Sequence, residues 1–279
     1  MNAQIKKVIR AHRHWMQVQS ASTLQMSEEG LQDCMNRSLQ RVLPSVTTGL
    51  GGIATFHGIR GVVRLHDRED GGLEDVAKSL SYWGWAAKVI SETFFRTTGP
   101  RGRLANDTTN LACVACVSEE WSDYAATTLQ RISQCPESMH EGYWEERRLE
   151  PFVLDVCDLR RGSAASRVTL TNEPYSPLIR AWNDPDALNT ALVNACEYHC
   201  QNMIDRGQDW NPEFKWSPFD LLPCEVILVR TVRNSLGLPM PDVSHPLISC
   251  LGIQNRIPRY QGDETLDRLA ALMDKFGLS

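Results

Sequence analysis

The stretch SLSYWGWAAKVISETFF, Ser79 to Phe95, decides the fold class. Its apolar side chains continue a series that starts at Leu73 and runs through Val76, Ala77, Leu80, Trp83, Ala87, Ile90 and Phe94, mostly in steps of three and four. That spacing keeps one stripe of a 3.6-residue helix apolar over many turns, which a two-residue strand period cannot do. The same period recurs on both sides. Leu31, Cys34, Met35, Leu39 and Val42 share a face, with Ser27 as N-cap and Pro44 just beyond the end. Leu111, Val114 and Ala115 open another helix, which Trp121, Tyr124, Ala125, Leu129 and Ile132 continue or follow. Phe152, Val153, Val156 and Leu159 make a shorter one after Pro151.

Punctuation is clearer towards the C-terminus. In NDPDALNTALVNACEYHCQNMIDRG, Asp184 can cap, Pro185 suits the first helical position and Gly207 can end the helix. Leu188, Leu192, Ala195, His199 and Met203 then share a face. Pro223, Glu225 and Gly237 bracket a further helix whose Val226, Ile227, Leu228, Val229, Val232 and Leu236 cover most of its circumference. Its polar strip, Arg230, Arg233 and Asn234, could bind a carboxylate, but a solvated face is the commoner explanation. The last helix groups Leu266, Leu269, Ala270, Met273 and Phe276, with acids early and Lys275 late, as the helix dipole favours. Strand signals are scarce, RVTLTN (167–172) being the best, and no fixed-period repeat is present. The expected breaks are TTGLGGIATFHGIRG (47–61) and DLRRGSAASRVTLTNEP (158–174). The expectation is an all-α, irregular array of antiparallel helices with at most a minor β element. It forms a single helical domain, 1–279, which can divide into halves 1–160 and 174–279 joined by a polar loop, 161–173.

Composition narrows the function classes. A chain of 279 residues with 42% hydrophobic and 23% charged residues can bury a core without staples. A net charge of -5 disfavours a phosphate-rich partner, so no nucleic acid is expected. No apolar run reaches membrane-spanning length, and the basic start MNAQIKKVIRAHRHWMQVQ reads as an amphipathic helix without a secretory apolar core. Nine cysteines scattered through helical runs read as reduced thiols, which points to the cytoplasm.

Catalytic and cofactor motifs fail on context. GLGGIA (49–54) has the letters of a dinucleotide fingerprint but no strand before it, so close helix packing or a tight loop explains it better. HEGYWEERR starts like a zincin signature, yet Trp144 stands where the second histidine belongs. Cys113, Cys116, Cys196, His199 and Cys200 are the residues that could ligate zinc, although their flanks are uninterrupted helix formers rather than turns. A Cys nucleophile, Cys200 or Cys224, paired with His199 or His245 remains open, because such pairs assemble in space. No cofactor is expected.

The most distinctive segment is DRGQDWNPEFKWSPFD (205–220), where aromatics alternate with acids. Its rings either plug the core or form a recognition surface whose acids steer a basic partner. Under the second reading the contacts are Asp209, Trp210, Glu213, Phe214, Trp216 and Asp220.

The series that follows, LLPCEVILVRTVRNSLGLPMPDVSHPLI, resembles the closing segment of bacterial polymorphic-toxin immunity proteins, and most closely immunity protein family forty-nine. There an apolar helix ends in Gly-Leu, then an acid, then Pro-Leu. Gly237-Leu238, Asp242 and Pro246-Leu247 stand at those positions here. The resemblance implies a helical, cytoplasmic, non-catalytic protein that binds and neutralises a cognate toxin or effector, and it supplies no catalytic residues. Toxin inhibition by protein–protein contact is therefore the leading expectation. The alternatives are a metal-binding or Cys/His-dependent enzyme on a helical scaffold, and a helical adaptor.

Overall fold

A computed structural model describes residues 2–35, 39–96, 105–135, 147–165, 167, 173–203, 213–275 and 277. The described residues form an all-α array of α1 (Ala3–Val18), α2 (Ser20–Met35), α3 (Leu39–Asp67), α4 (Gly72–Arg96), α5 (Ala105–Val117) and α6 (Ser122–Ser133), followed by α7 (Leu149–Arg160), α8 (Ser176–Arg180), α9 (Pro185–Gln201), α10 (Cys224–Ser235), α11 (Pro246–Leu251) and α12 (Glu264–Lys275). They contain no strand; one isolated bridge joins Ser118 to Ile257. None of these helices is long and apolar enough to cross a membrane. Most of the RVTLTN segment and all of HEGYWEE lie outside the described residues, as do Asp209, Trp210 and Phe276.

The frame is the hairpin of α3 and α4, against which α2 also packs. With 29 residues, α3 is about 43 Å long at 1.5 Å per residue. It runs straight through the glycine-rich stretch expected to be a break, and Pro44 lies inside it rather than beyond a helix end. Ser27 sits within α2, not at its cap. The reason is packing. A Cβ at Gly52 would overlap Ser27 Oγ on α2, and one at Gly61 would lie 2.8 Å from the Val76 amide nitrogen on α4. Glycine here lets two neighbouring helices close on α3, and that contact outweighs glycine's poor helix propensity of about 1 kcal/mol.

Charge pins the same hairpin. Asp75, in the first turn of α4, accepts from Arg60 Nε and Arg64 Nη1, each at 2.8 Å, and lies 3.1 Å from His57 Nδ1. Burial pushes its carboxyl up, but the hydrogen bonds from His57 and Arg60 and their charges outweigh that and hold it down at about 2.

Beyond the hairpin, α10 packs on α5, α7 and α9, so helices before and after the 161–173 segment share one apolar core. Asp184 caps α9 as its sequence suggests, accepting from the Asp186 and Ala187 amides, although α9 ends at Gln201, before Gly207. At the end of α10, Gly237 takes φ +68° and the Leu238 amide donates to Arg233 O at 2.9 Å, a Schellman closure. The polar strip of α10 is not all solvated: Arg233 is 1% exposed, with its guanidinium donating to Pro239 O and Trp182 O. The carbonyls of the proline-rich exit and the turn after α8 needed a donor, and the long side chain reaches both.

Candidate functional site

The acidic and aromatic segment leads from α9 into α10, and its side chains divide by depth. Phe214 and Phe219 are fully buried and Trp216 is 38% exposed. Glu213 explains why the segment lies so deep. Helix α7 starts after Arg148, whose side chain has no oxygen to cap it, and Glu213 supplies the cap from 65 positions away. Its Oε1 accepts from the Arg148 and Leu149 amides at 2.9 and 3.1 Å, and its Oε2 accepts from the Tyr198 hydroxyl at 2.9 Å. Phe214 stacks on the His199 ring with centroids 3.7 Å apart. His199 Nδ1 lies 3.0 Å from Glu225 and its Nε2 lies 3.3 Å from Asp220 O, while Tyr175 donates to Glu225 at 2.9 Å. The Asp220 carboxylate meets His12 Nε2 of α1 at 2.6 Å.

Glu213, Phe214 and Asp220 therefore leave the set of expected partner contacts, because capping, stacking and ion pairing hold them inside the fold. Among the four of the six that are described, Trp216 is the one at the surface.

Burial away from water, reinforced by the neighbouring Glu150 charge, raises the Glu213 carboxyl from its ordinary 4.5 to about 7, against the two amides that favour its ionised form. Between those values the folded chain holds a proton that the unfolded chain has lost, so this group's contribution to stability falls as pH rises from about 4.5 to 7. In Glu213→Gln the amide oxygen can still cap α7 but nothing titrates. Relative to the parent, the variant is expected to gain about 2–3 kcal/mol between pH 5 and pH 8 in urea unfolding. A difference that stays constant with pH would place an ionised carboxylate at position 213 throughout.

Trp216 stands at a cleft of about 460 Å³ between α1, α2, α3 and α4. Its floor is small: Gly51 and Gly52 on α3 and Ala86 and Ala87 on α4. Trp15 from α1, Trp83 from α4 and Trp216 form the walls, and threonines 23, 47, 48 and 55 with Asn110 form a polar border. Trp83 fixes the wall it shares with the loop, since its indole nitrogen donates to Ser217 O at 3.1 Å and its ring lies 6.1 Å from Trp216. Lys215 Nζ sits over the Trp216 ring, 5.2 Å from its centroid. None of the described side chains lining this cleft is an acid, a base or a thiol. Its volume falls in the range of ligand and anchor sites, so the arrangement suits an apolar group held by shape and dispersion.

The cysteines and histidines are placed otherwise. Cys113 lies against Cys224, and Cys113 and Cys116 are buried in the core on α5. Among the described residues no three His, Cys, Asp or Glu side chains gather in a group able to hold a metal ion. Burial pushes the Cys113 thiol up to about 11 and Cys200 to about 12, and raises Cys224 as well. His199 is bonded as above, while His245 reaches Glu197 through Nε2 and accepts the Leu247 amide through Nδ1.

Sequence reading missed Trp15, Trp83 and the floor of the cleft. The adjacent small pairs, Gly51-Gly52 on α3 and Ala86-Ala87 on α4, were the available signal, since residues this small let the larger Trp15, Trp83 and Trp216 rings define the cleft. Comparison of the chain with protein-family models, curated proteins and solved structures gives no match.

Proposed function

We propose that this chain is a toxin-neutralising binding protein that seats an apolar side chain of its partner in the Trp15–Trp83–Trp216 cleft and performs no chemistry of its own. The observation that carries this reading is the cleft lining: three tryptophans over a glycine and alanine floor, with no titratable side chain among the described residues. Exposed apolar residues adjoin it. Val18, 62% exposed, follows Trp15 by one helical turn, and Met26, 72% exposed, follows Thr23 by the same step. Exposed apolar groups gathered around a concave, ring-walled site are what protein docking requires. The raised cysteine thiols, which stay protonated near neutrality, favour this reading over Cys-dependent chemistry.

The test is co-expression with the product of the adjacent gene in a bacterial host. A one-to-one complex together with growth rescue is the expected result. Trp216→Ala should weaken that complex by about 2 kcal/mol, roughly thirtyfold, because a ring at the centre of a contact carries a large share of the binding energy. A complex without any toxicity to relieve would mark a helical adaptor using the same cleft. No complex and no rescue would overturn the immunity reading.

A further inference from the structure

The N-terminal helix carries a charge pattern that the rest of the molecule opposes. Residues 1–27 contain no Asp or Glu, and residues 1–68 hold nine Lys and Arg against four acids, whereas the whole chain holds 29 against 34. On α1, Lys6, Lys7, Arg10, Arg13 and His14 are all exposed, and they follow one another at the spacing of a single helical stripe. Ile5, Val8 and Ile9 are buried on the other side. Arg13 pairs with Asp67 at the end of α3. Lys6, Lys7 and Arg10 have no carboxylate partner among the described residues. At about 100° per residue, Val18 falls between Trp15 and the edge of the stripe formed by Lys7 and His14. Lys7 and His14, the near edge of the stripe, therefore stand about 80–100° round α1 from Trp15, while Arg10 stands about 140° and Lys6 about 180° away, so the stripe runs from beside Val18 round the solvent side of the helix.

We infer that the partner seated in the cleft carries, beyond its apolar anchor, an acidic protein segment that crosses the solvent side of α1 over Lys7, Arg10 and Lys6. The inference rests on the binding reading of the cleft and adds the chemistry of the partner. The stripe from Lys6 to His14 is about 12 Å long, the reach of two helical turns or a few extended residues. A local run of Asp and Glu matches it. A long polyanion fits less well, because beyond the stripe it meets the acidic surplus of the remaining chain, and screening at physiological salt confines the attraction to about 8 Å.

The test uses defined probes. A fluorescein-labelled, Glu-rich amphipathic peptide with one central Trp is titrated by anisotropy against the full chain, beside its Glu→Gln counterpart, its Trp→Gly counterpart and a short oligothymidylate of similar charge. The acidic peptide is expected to bind about tenfold more tightly than the Gln peptide. K6E/K7E/R10E should remove that advantage, and so should high salt. These positions are exposed and have no carboxylate partner among the described residues, so the variant should keep its thermal midpoint. T23W, which places a ring at the border of the cleft, should weaken both Trp peptides. Equal binding of the acidic and Gln peptides, with both lost in T23W, would overturn the inference and leave the cleft reading standing. Acidic-peptide binding indifferent to T23W and to loss of the peptide Trp would overturn the cleft reading instead. Oligothymidylate binding as tightly as the acidic peptide would overturn the assignment to a protein partner, and no binding by any probe would overturn both.

Discussion

Arg233→Ala is expected to destabilise the protein by about 3–5 kcal/mol, a large part of the stability of an ordinary domain. The guanidinium is 1% exposed and is held by carbonyls: Nε donates to Pro239 O at 2.9 Å, Nη2 to the same oxygen, and Nη1 to Trp182 O. Its carbon also lies 5.5 Å from the centre of the Trp182 ring. Truncation removes these donors together. Each buried carbonyl left without a partner costs about 1–3 kcal/mol, and the cavity left by the stem adds to that. Arg233→Lys should fall between, because one ammonium reaches one of the two carbonyls but cannot fork across both. Urea unfolding gives the total, and hydrogen exchange should show protection lost first at Leu238, whose amide closes the end of α10. A loss below about 1 kcal/mol would mean that water replaces the guanidinium at both carbonyls.

Gly58→Ala is expected to cost about 2–3 kcal/mol and to weaken partner binding from a position that does not line the cleft. A Cβ at residue 58 would stand 2.7 Å from Ser217 C and O and 2.8 Å from Pro218 N. Those are backbone atoms of the buried segment, so no flexible tip can yield, and overpacking of this kind typically costs 1–3 kcal/mol. Ser217 O is also the acceptor of the Trp83 indole, and Trp216 is its neighbour, so the displacement moves a wall of the cleft. Gly51→Ala is the control. Its Cβ would sit 3.5 Å from Trp83, ordinary contact, and alanine improves helix propensity by about 1 kcal/mol, so that variant should be neutral or slightly stabilised. Thermal unfolding of the pair, with exchange of the Asp220 amide that donates to Trp216 O, measures the difference. If Gly58→Ala keeps the stability and protection of the parent, the contact between α3 and the 217–218 backbone is looser than its geometry states.

The residues that announced the fold in the sequence were those whose periodicity is local. Val76, Leu80 and Trp83 are buried on one face of α4, Leu188, Leu192 and Ala195 on one face of α9, and Val226 to Val229 all around α10. Caps that act within two or three residues were equally legible, as Asp184 and Gly237 demonstrate. The glycine-rich part of α3 was misread for a physical reason: glycine lowers helix propensity locally, and the compensation comes from α2 and α4 sliding close, which no local pattern records. The candidate site was only partly legible. Aromatics alternating with acids at 213–220 marked a distinctive segment, but whether a side chain there faces a partner or the core depends on what waits opposite. For Glu213 that is the uncapped start of α7, and for Asp220 it is His12.

What the sequence determined by itself is therefore what short-range physics controls: helical period, end signals, an uninterrupted apolar supply for one core, and a basic first helix in an acidic chain. Only the tertiary structure decided which polar groups are satisfied inside, which tryptophans meet at one cleft, and that Trp216 faces outward while Phe214 and Phe219 do not. Those outcomes depend on helices dozens of residues apart arriving at the same place, where packing and hydrogen-bond satisfaction select one orientation for each side chain.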